Sequence, residues 1–301
     1  MKQDDCLNFD KGAREFVEKT TLHDLEEKME ALTPSQRKVA DYILKYPMEA
    51  AFLTIEQLAG LTSVSVATII RLAYSLGYDG YTQFQKALQA LLREQISPPN
   101  RLEANLKKIG KNKLLIDCAE LQIKNIRKTV EFLSEENIDQ AFNLIFESRK
   151  IFIIGIRSSQ AVADYLNEGL NRLGLDCEMV VPDTGRIQAV MARLTPEDLL
   201  IAISLPRYAK RTIEVVNIAR QKQAKILAIT DGYSSPLALV ADVFLGCAFE
   251  SLAFHHSELG AMFVADFLIT GVAARDSVKT KTQLEEIEKV VDEIEANLIK
   301  S

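Results

Sequence analysis

Hydroxyl, glycine and arginine side chains gather in three short stretches of this 301-residue chain: Gly155–Ser159 (GIRSS), Ser204–Thr212 (SLPRYAKRT) and Thr230–Ser235 (TDGYSS). Each follows an apolar run and leads towards a helical pattern. That placement suits an anion, because free N–H groups at a helix start, hydroxyl donors and the helix dipole all favour negative charge. Arginine adds a planar fork that matches carboxylate or phosphate. The candidate ligand-binding residues are therefore Gly155, Arg157, Ser158, Ser159, Ser204, Arg207, Thr212, Thr230 and Ser235. Taken singly, each Ser or Thr also reads as an ordinary helix cap. Arg157 and Arg207 have a second reading too, as ion-pair partners of Asp183 or Asp231.

A fourth stretch, Glu250–Glu258 (ESLAFHHSE), holds the residues that could move a proton: Glu250, His255, His256 and Glu258. An aldose–ketose isomerase would need one of them as a base. Adjacent histidines are more often one packed and one exposed ring than a catalytic pair, and no catalytic residue is assigned. The four cysteines (Cys6, Cys118, Cys177, Cys247) form no C-x-x-C pair, and the three histidines have no metal-ligand spacing. Neither a metal nor a cofactor is expected. Scattered thiols read as reduced, which places the protein in the cytoplasm.

A different chemistry is written between Thr54 and Phe84. Ile55, Leu58 and Ala59 face inward on one short helix, and Val64, Ile69 and Leu72 on a second. Left outward are Ser65, Ala67, Thr68, Arg71 and Ser75. Short polar groups at a helix start, with one long cation a turn later, suit a major groove about 12 Å wide. Arg can pair bidentately with guanine, and two helices across a tight turn form a helix-turn-helix. A plain helical hairpin would share the spacing.

The surrounding elements divide the chain. Residues 1–20 read as a loose leader. Three Thr-x-x-Gln boxes, at Thr33, Thr54 and Thr82, open helices within an all-α domain over 21–97. Pro47 should end the helix that starts at Pro34. Residues 98–113 carry the Pro, Asn, Gly and Lys content of a linker. Over 114–276 two helices precede five short apolar runs, KIFIIG, CEMVV, DLLIAIS, AKILAIT and DVFLGCA, each about five residues long. They read as a five-stranded parallel sheet in a doubly wound α/β domain, whose ligands bind beyond the carboxyl ends of the strands. Residues 277–301 read as an amphipathic helix with Leu284, Ile287, Val291, Ile294 and Leu298 on one stripe. That stripe packs on its own domain or on a second copy.

Net charge is −6, which disfavours DNA binding by the whole surface. Over 32–93 the balance turns mildly positive. No apolar run reaches bilayer length, so no membrane segment is expected.

The segments LTPSQRKVADYIL, TIEQLA and SVATIIRLAYSLGYDGYTQFQKAL resemble the N-terminal helix-turn-helix domain of the RpiR family of bacterial transcriptional regulators. Proteins of that family join this domain to a sugar isomerase (SIS) domain, and the resemblance spans about residues 22–275. It implies that Ser65, Thr68 and Arg71 lie on a recognition helix. It also implies that Tyr81, Thr82 and Lys86 stand at the start of the next helix, within reach of DNA phosphates. In the SIS domain the matching loops hold a phosphosugar: Gly155 and Ser159 match the first, Ser204 and Thr212 the second, Thr230 the third. This chain departs from the family pattern at Arg157, where glycine is common, and in the longer turn around Arg207. The resemblance implies a cytoplasmic, non-enzymatic regulator that binds double-stranded operator DNA and a small anionic metabolite, as a homodimer or homotetramer. The alternative is a phosphosugar isomerase with a helical assembly domain.

Overall fold

The computed structural model describes residues 21–95, 98–106, 113–181, 183–233 and 235–298. The leader expected over 1–20 lies outside the described residues. The chain divides into two units, residues 1–104 and 105–301.

The first unit is helical. Helix α1 (Thr21–Lys28) runs into a 3-10 turn, Met29–Ala31. Helix α2 (Pro34–Lys45) opens on a full capping box: Thr33 accepts from the Gln36 N–H and Gln36 Oε1 takes the Thr33 N–H at 3.0 Å. The same box opens α4 (Ile55–Thr62) at Thr54 and Gln57. The third expected box does not form. Helix α6 (Tyr81–Gln95) starts one residue ahead of Thr82, and Gln85 Nε2 instead donates to the Leu53 carbonyl at 2.6 Å. Pro47 does close α2, but its fixed φ also opens a one-turn helix, α3 (Pro47–Ala50). Helix α5 (Val66–Ser75) completes the unit around fully buried Leu25, Val39, Leu58 and Leu88. Burying each such side chain contributes roughly 1.5–3 kcal/mol.

Within the segment read as a linker stands helix α7 (Pro98–Leu106). Its prolines signal a break only in a helix interior. In the first turn a missing N–H costs nothing, because those groups have no helical partner.

In the second unit α8 (Leu114–Phe132) and α9 (Glu135–Glu147) precede the sheet. Strands β1 (Ile151–Gly155), β2 (Cys177–Met179), β3 (Leu199–Ile203), β4 (Lys225–Thr230) and β5 (Val243–Gly246) form an all-parallel sheet in the order β2-β1-β3-β4-β5. Helices α10 (Ser159–Arg172) and α13 (Leu259–Arg275) cover one face together with α9. The other face is covered by α11 (Thr184–Arg193) and α12 (Lys210–Gln221). Alternate strand residues feed the two cores: Ile151, Ile153, Ile201 and Ile229 one, Phe152, Ile154, Leu200 and Ile226 the other. With both faces buried, the strands read as continuous apolar runs instead of alternating ones. This is the doubly wound architecture expected from the sequence.

The chain order reverses between β1 and β3, which pair directly from Ile151↔Leu199 to Gly155↔Ile203. Such a reversal splits the loops after the two strands to opposite sides and leaves a crevice at their carboxyl ends. The last helix, α14 (Ser277–Leu298), packs against α10 and α13. Leu284, Val291 and Ile294 of its stripe nevertheless remain exposed.

Candidate functional site

In the helical unit, α4 and α5 meet at 103°, within the about 90–120° of helix-turn-helix pairs. Ser63 makes the corner in the left-handed region, with φ 54° and ψ 43°. Glycine is the residue that adopts this conformation without cost, so Ser63→Gly is expected to stabilise the unit by about 0.5–1 kcal/mol. A higher urea midpoint checks this; an unchanged or lower one would remove the strain.

Helix α5 buries Ile69, Leu72 and Ala73. Ser65 is its N-cap: the Thr68 N–H donates to Ser65 Oγ at 3.3 Å, and the two hydroxyls lie 2.9 Å apart. Ser65, Ala67, Arg71 and Ser75 are exposed, and Thr68 is half-buried. Ser75 Oγ donates back to the Leu72 carbonyl, while Lys28 Nζ donates to the Ser75 carbonyl at 3.0 Å. Tyr74 stands on the same outward side, 58% exposed. Its helical spacing from Ala67 and Arg71 is the signal that identifies it. At the start of α6, Thr82 and Lys86 are exposed. Tyr81, expected beside them at the DNA, is instead buried, and its hydroxyl donates to the Leu53 carbonyl at 2.8 Å. It locks α6 to the turn before α4.

At the carboxyl end of the sheet, β1 runs through Gly155 into a turn at Arg157, whose φ is +63°. A Cβ on Gly155 would lie 2.2 Å from the Ser159 carbonyl oxygen. Gly155 therefore permits the tight passage from strand to helix. Ser159 is buried, and its hydroxyl lies 3.3 and 3.4 Å from the two Glu258 oxygens. After β3, Ser204 is buried and Arg207 takes φ +68°. Arg157 and Arg207 are exposed, and among the described residues neither has an ion-pair partner. Their expected acidic neighbours are engaged elsewhere. Asp183 caps α11 by accepting the Arg186 N–H, and Asp231 accepts the Tyr208 hydroxyl at 2.9 Å.

The remaining candidates are interior. Thr230 and Ser235 are fully buried with hydroxyl oxygens 2.7 Å apart; Thr230 Oγ1 also lies 2.8 Å from the Ser204 carbonyl, and Ser235 Oγ accepts the Leu237 N–H. They shape the third loop and present no hydroxyl to the crevice. Thr212 is fully buried in the first turn of α12, and its hydroxyl has no partner among the described residues.

The four proton-transfer candidates separate. Glu250 is held below the usual carboxylate range, first by its hydrogen bond to Lys128 and also by Lys124. His256 meets Phe249 edge-on, and His255 lies tilted against Phe254. Glu258 alone stands at the crevice with its carboxyl raised by burial, against the opposing pull of Ser158, Ser159 and His255. Burial raises Asp231 as well, and it raises the Tyr208 hydroxyl ahead of the Asp231 charge. Tyr208 and Asp231 as a bonded pair escaped the sequence, since no local spacing links residues on separate loops.

Known proteins share both units. Residues 19–95 match the helix-turn-helix domain of the rpiR family and residues 144–268 match the SIS domain. The chain is 26% identical over 287 residues to the HTH-type transcriptional regulator HexR of Pseudomonas aeruginosa, covering 90% of this chain and 95% of that one. It is 26% identical over 255 residues to the HTH-type transcriptional regulator YbbH of Bacillus subtilis, covering 81% and 87%. Among solved structures, Vibrio vulnificus NanR in complex with ManNAc-6P superposes with a TM-score of 0.65 at 25% identity, over 91% of this chain and 99% of that one. The sugar isomerase domain of an RpiR transcription factor from Sphaerobacter thermophilus gives 0.58 at 27% identity, over 59% and 99%.

Proposed function

Because the chain belongs to the RpiR family of transcriptional regulators, an rpiR helix-turn-helix domain followed by a SIS domain, we propose that it is a cytoplasmic repressor or activator whose operator binding responds to a phosphosugar. The observation that carries the DNA half is the 103° pair with Arg71 exposed one turn into α5. The observation that supports the ligand half is the pair of exposed arginines at the β1/β3 crevice, without ion-pair partners among the described residues. The likeness to NanR, a structure that holds ManNAc-6P, makes a phosphosugar the first choice.

A homodimer would read a pseudo-palindrome with half-sites about 34 Å apart or multiples of that. The exposed stripe of α14 and the exposed Leu115, Ile116 and Ile123 of α8 offer apolar surface for a second copy. Coupling between ligand and operator of about 1–3 kcal/mol would change affinity about 5–150-fold.

Selection of bound sequences from a random duplex pool at one fixed salt tests the reading. A shared, roughly palindromic sequence supports it, and recovery of none removes it. On the selected operator, Arg71→Ala is expected to cost about 1–3 kcal/mol and to relax preference at one base position. Unchanged affinity and preference would take Arg71 out of base reading.

The position of Glu258 also favours a second reading, turnover of an aldose phosphate with Glu258 as base. Relatives named as regulators weigh against it. Aldose–ketose conversion by the purified protein without DNA would establish it.

A further inference from the structure

The crevice carries charges of opposite sign in separate places. Arg157 and Arg207 are exposed, on the turns after β1 and β3. Two carboxylates lie further in, both half-buried: Glu258 at the start of α13 and Asp231 just past β4. Cys247 at the end of β5 links them in space. Its N–H donates to the Thr230 carbonyl at 2.7 Å, and Thr230 Oγ1 lies 3.0 Å from Asp231 Oδ1. Its fully buried thiol is raised first by burial, then by the charges of Asp231 and Glu258 together. The start of α13 meets the same strand end, since a Cβ on Gly260 would lie 2.3 Å from the Ala248 carbonyl oxygen. Both carboxylates therefore stand at the carboxyl end of the sheet.

An ionised carboxylate only accepts hydrogen bonds, at about four lone-pair sites. Asp231 accepts from Tyr208, and Glu258 from Ser159. Each keeps room for a further donor, and a ligand hydroxyl is such a donor. A ligand carboxylate brings none and adds a like charge in a poorly solvated place, which is costly.

Resting on the phosphosugar reading, we propose that Glu258 and Asp231 select the uncharged end of the ligand. The site takes a phosphorylated sugar or polyol whose far end bears hydroxyls, and it rejects the matching sugar acid. The phosphate meets Arg157 and Arg207 at the rim, and the hydroxyls reach the carboxylate floor.

The test uses the full-length protein and calorimetric titration. The probes are inorganic phosphate, five- and six-carbon aldose phosphates, their reduced polyol phosphates and their aldonate phosphates. We expect at least one aldose or polyol phosphate to bind, with its aldonate counterpart at least about tenfold weaker. In Glu258→Gln, whose amide adds a donor and removes the charge, that gap should narrow. The comparison within wild type stands alone if the variant does not fold. An aldonate that binds as well as its neutral counterpart overturns the proposal. Binding of inorganic phosphate with no binding of any sugar overturns it too, while leaving the anion site standing. If nothing in the panel binds, phosphate included, the phosphosugar reading falls with it.

Discussion

Arg157→Gly is expected to stabilise the C-terminal unit by about 0.5–1 kcal/mol and to weaken binding of the proposed phosphosugar at least about tenfold. The two effects have separate causes. With φ at +63°, Arg157 holds a conformation that costs an L-residue about 1–2 kcal/mol. Glycine removes that cost, less the chain entropy it loses on folding. Nothing among the described residues repays the strain, because the guanidinium has no ion-pair partner there. Strain of this kind persists where a side chain is kept for another purpose, and a waiting anion supplies one. Losing a hydrogen bond to a charged group costs about 1.5–3 kcal/mol, hence the loss of affinity. Thermal unfolding and calorimetry of the same variant separate the outcomes. A variant that binds normally rules out the arginine clamp, and a less stable one rules out the strain.

Asn125→Ala is expected to lower stability by about 2–4 kcal/mol and to uncouple the ligand response from DNA binding. Asn125 is fully buried on α8 and grips the backbone of Glu250 from both sides. Its Nδ2 donates to the Glu250 carbonyl at 2.7 Å, and its Oδ1 accepts the Glu250 N–H at 3.1 Å. Alanine leaves both backbone groups without partners, at about 1–3 kcal/mol each when water cannot replace the amide. The same loop is held at Ser257 by Gln122 at 2.6 Å and at Ser251 by Asn105 at 2.8 Å. It then ends at Glu258, against Ser159. A ligand hydroxyl that donates to Glu258 competes with the Ser159 hydroxyl for that carboxylate. Any shift of Glu258 is then carried along a loop bonded to α8 and to Asn105 of α7, the segment that connects the two units. The proposed coupling runs through these bonds. Urea unfolding gives the stability, and operator binding with and without ligand gives the coupling. A variant that unfolds at the wild-type midpoint or responds at full strength would exclude the clamp from that role.

Much of this architecture was legible along the chain because its causes are local. A capping box needs residues three apart, so Thr33 with Gln36 and Thr54 with Gln57 announce their helices. Buried parallel strands are apolar on both faces, so five short runs were enough to read the sheet. The outward residues of α5 follow from helical period alone. Arg157 stood out as a residue where glycine is common, and it adopts the conformation that glycine favours.

Where local chemistry allowed two uses of one side chain, only distant contacts chose between them. Thr82 and Gln85 have box spacing, yet the Leu53 carbonyl, 32 residues from Gln85, claims its amide. Tyr81 looked available to DNA until the same carbonyl took its hydroxyl from 28 residues away. Thr230 and Ser235 carry the right groups for an anion but spend them on each other and on the loop backbone. Asp231 was one expected partner for an arginine, and Tyr208 holds it instead. Hydrogen-bond donors and acceptors are written in residue types, but their partners are set by which loops the sheet order brings together. The β1/β3 reversal sets the turns of Arg157 and Arg207 on the two sides of one crevice, and the Ser159 hydroxyl brings Glu258, 99 residues further along the chain, to the same end of the sheet.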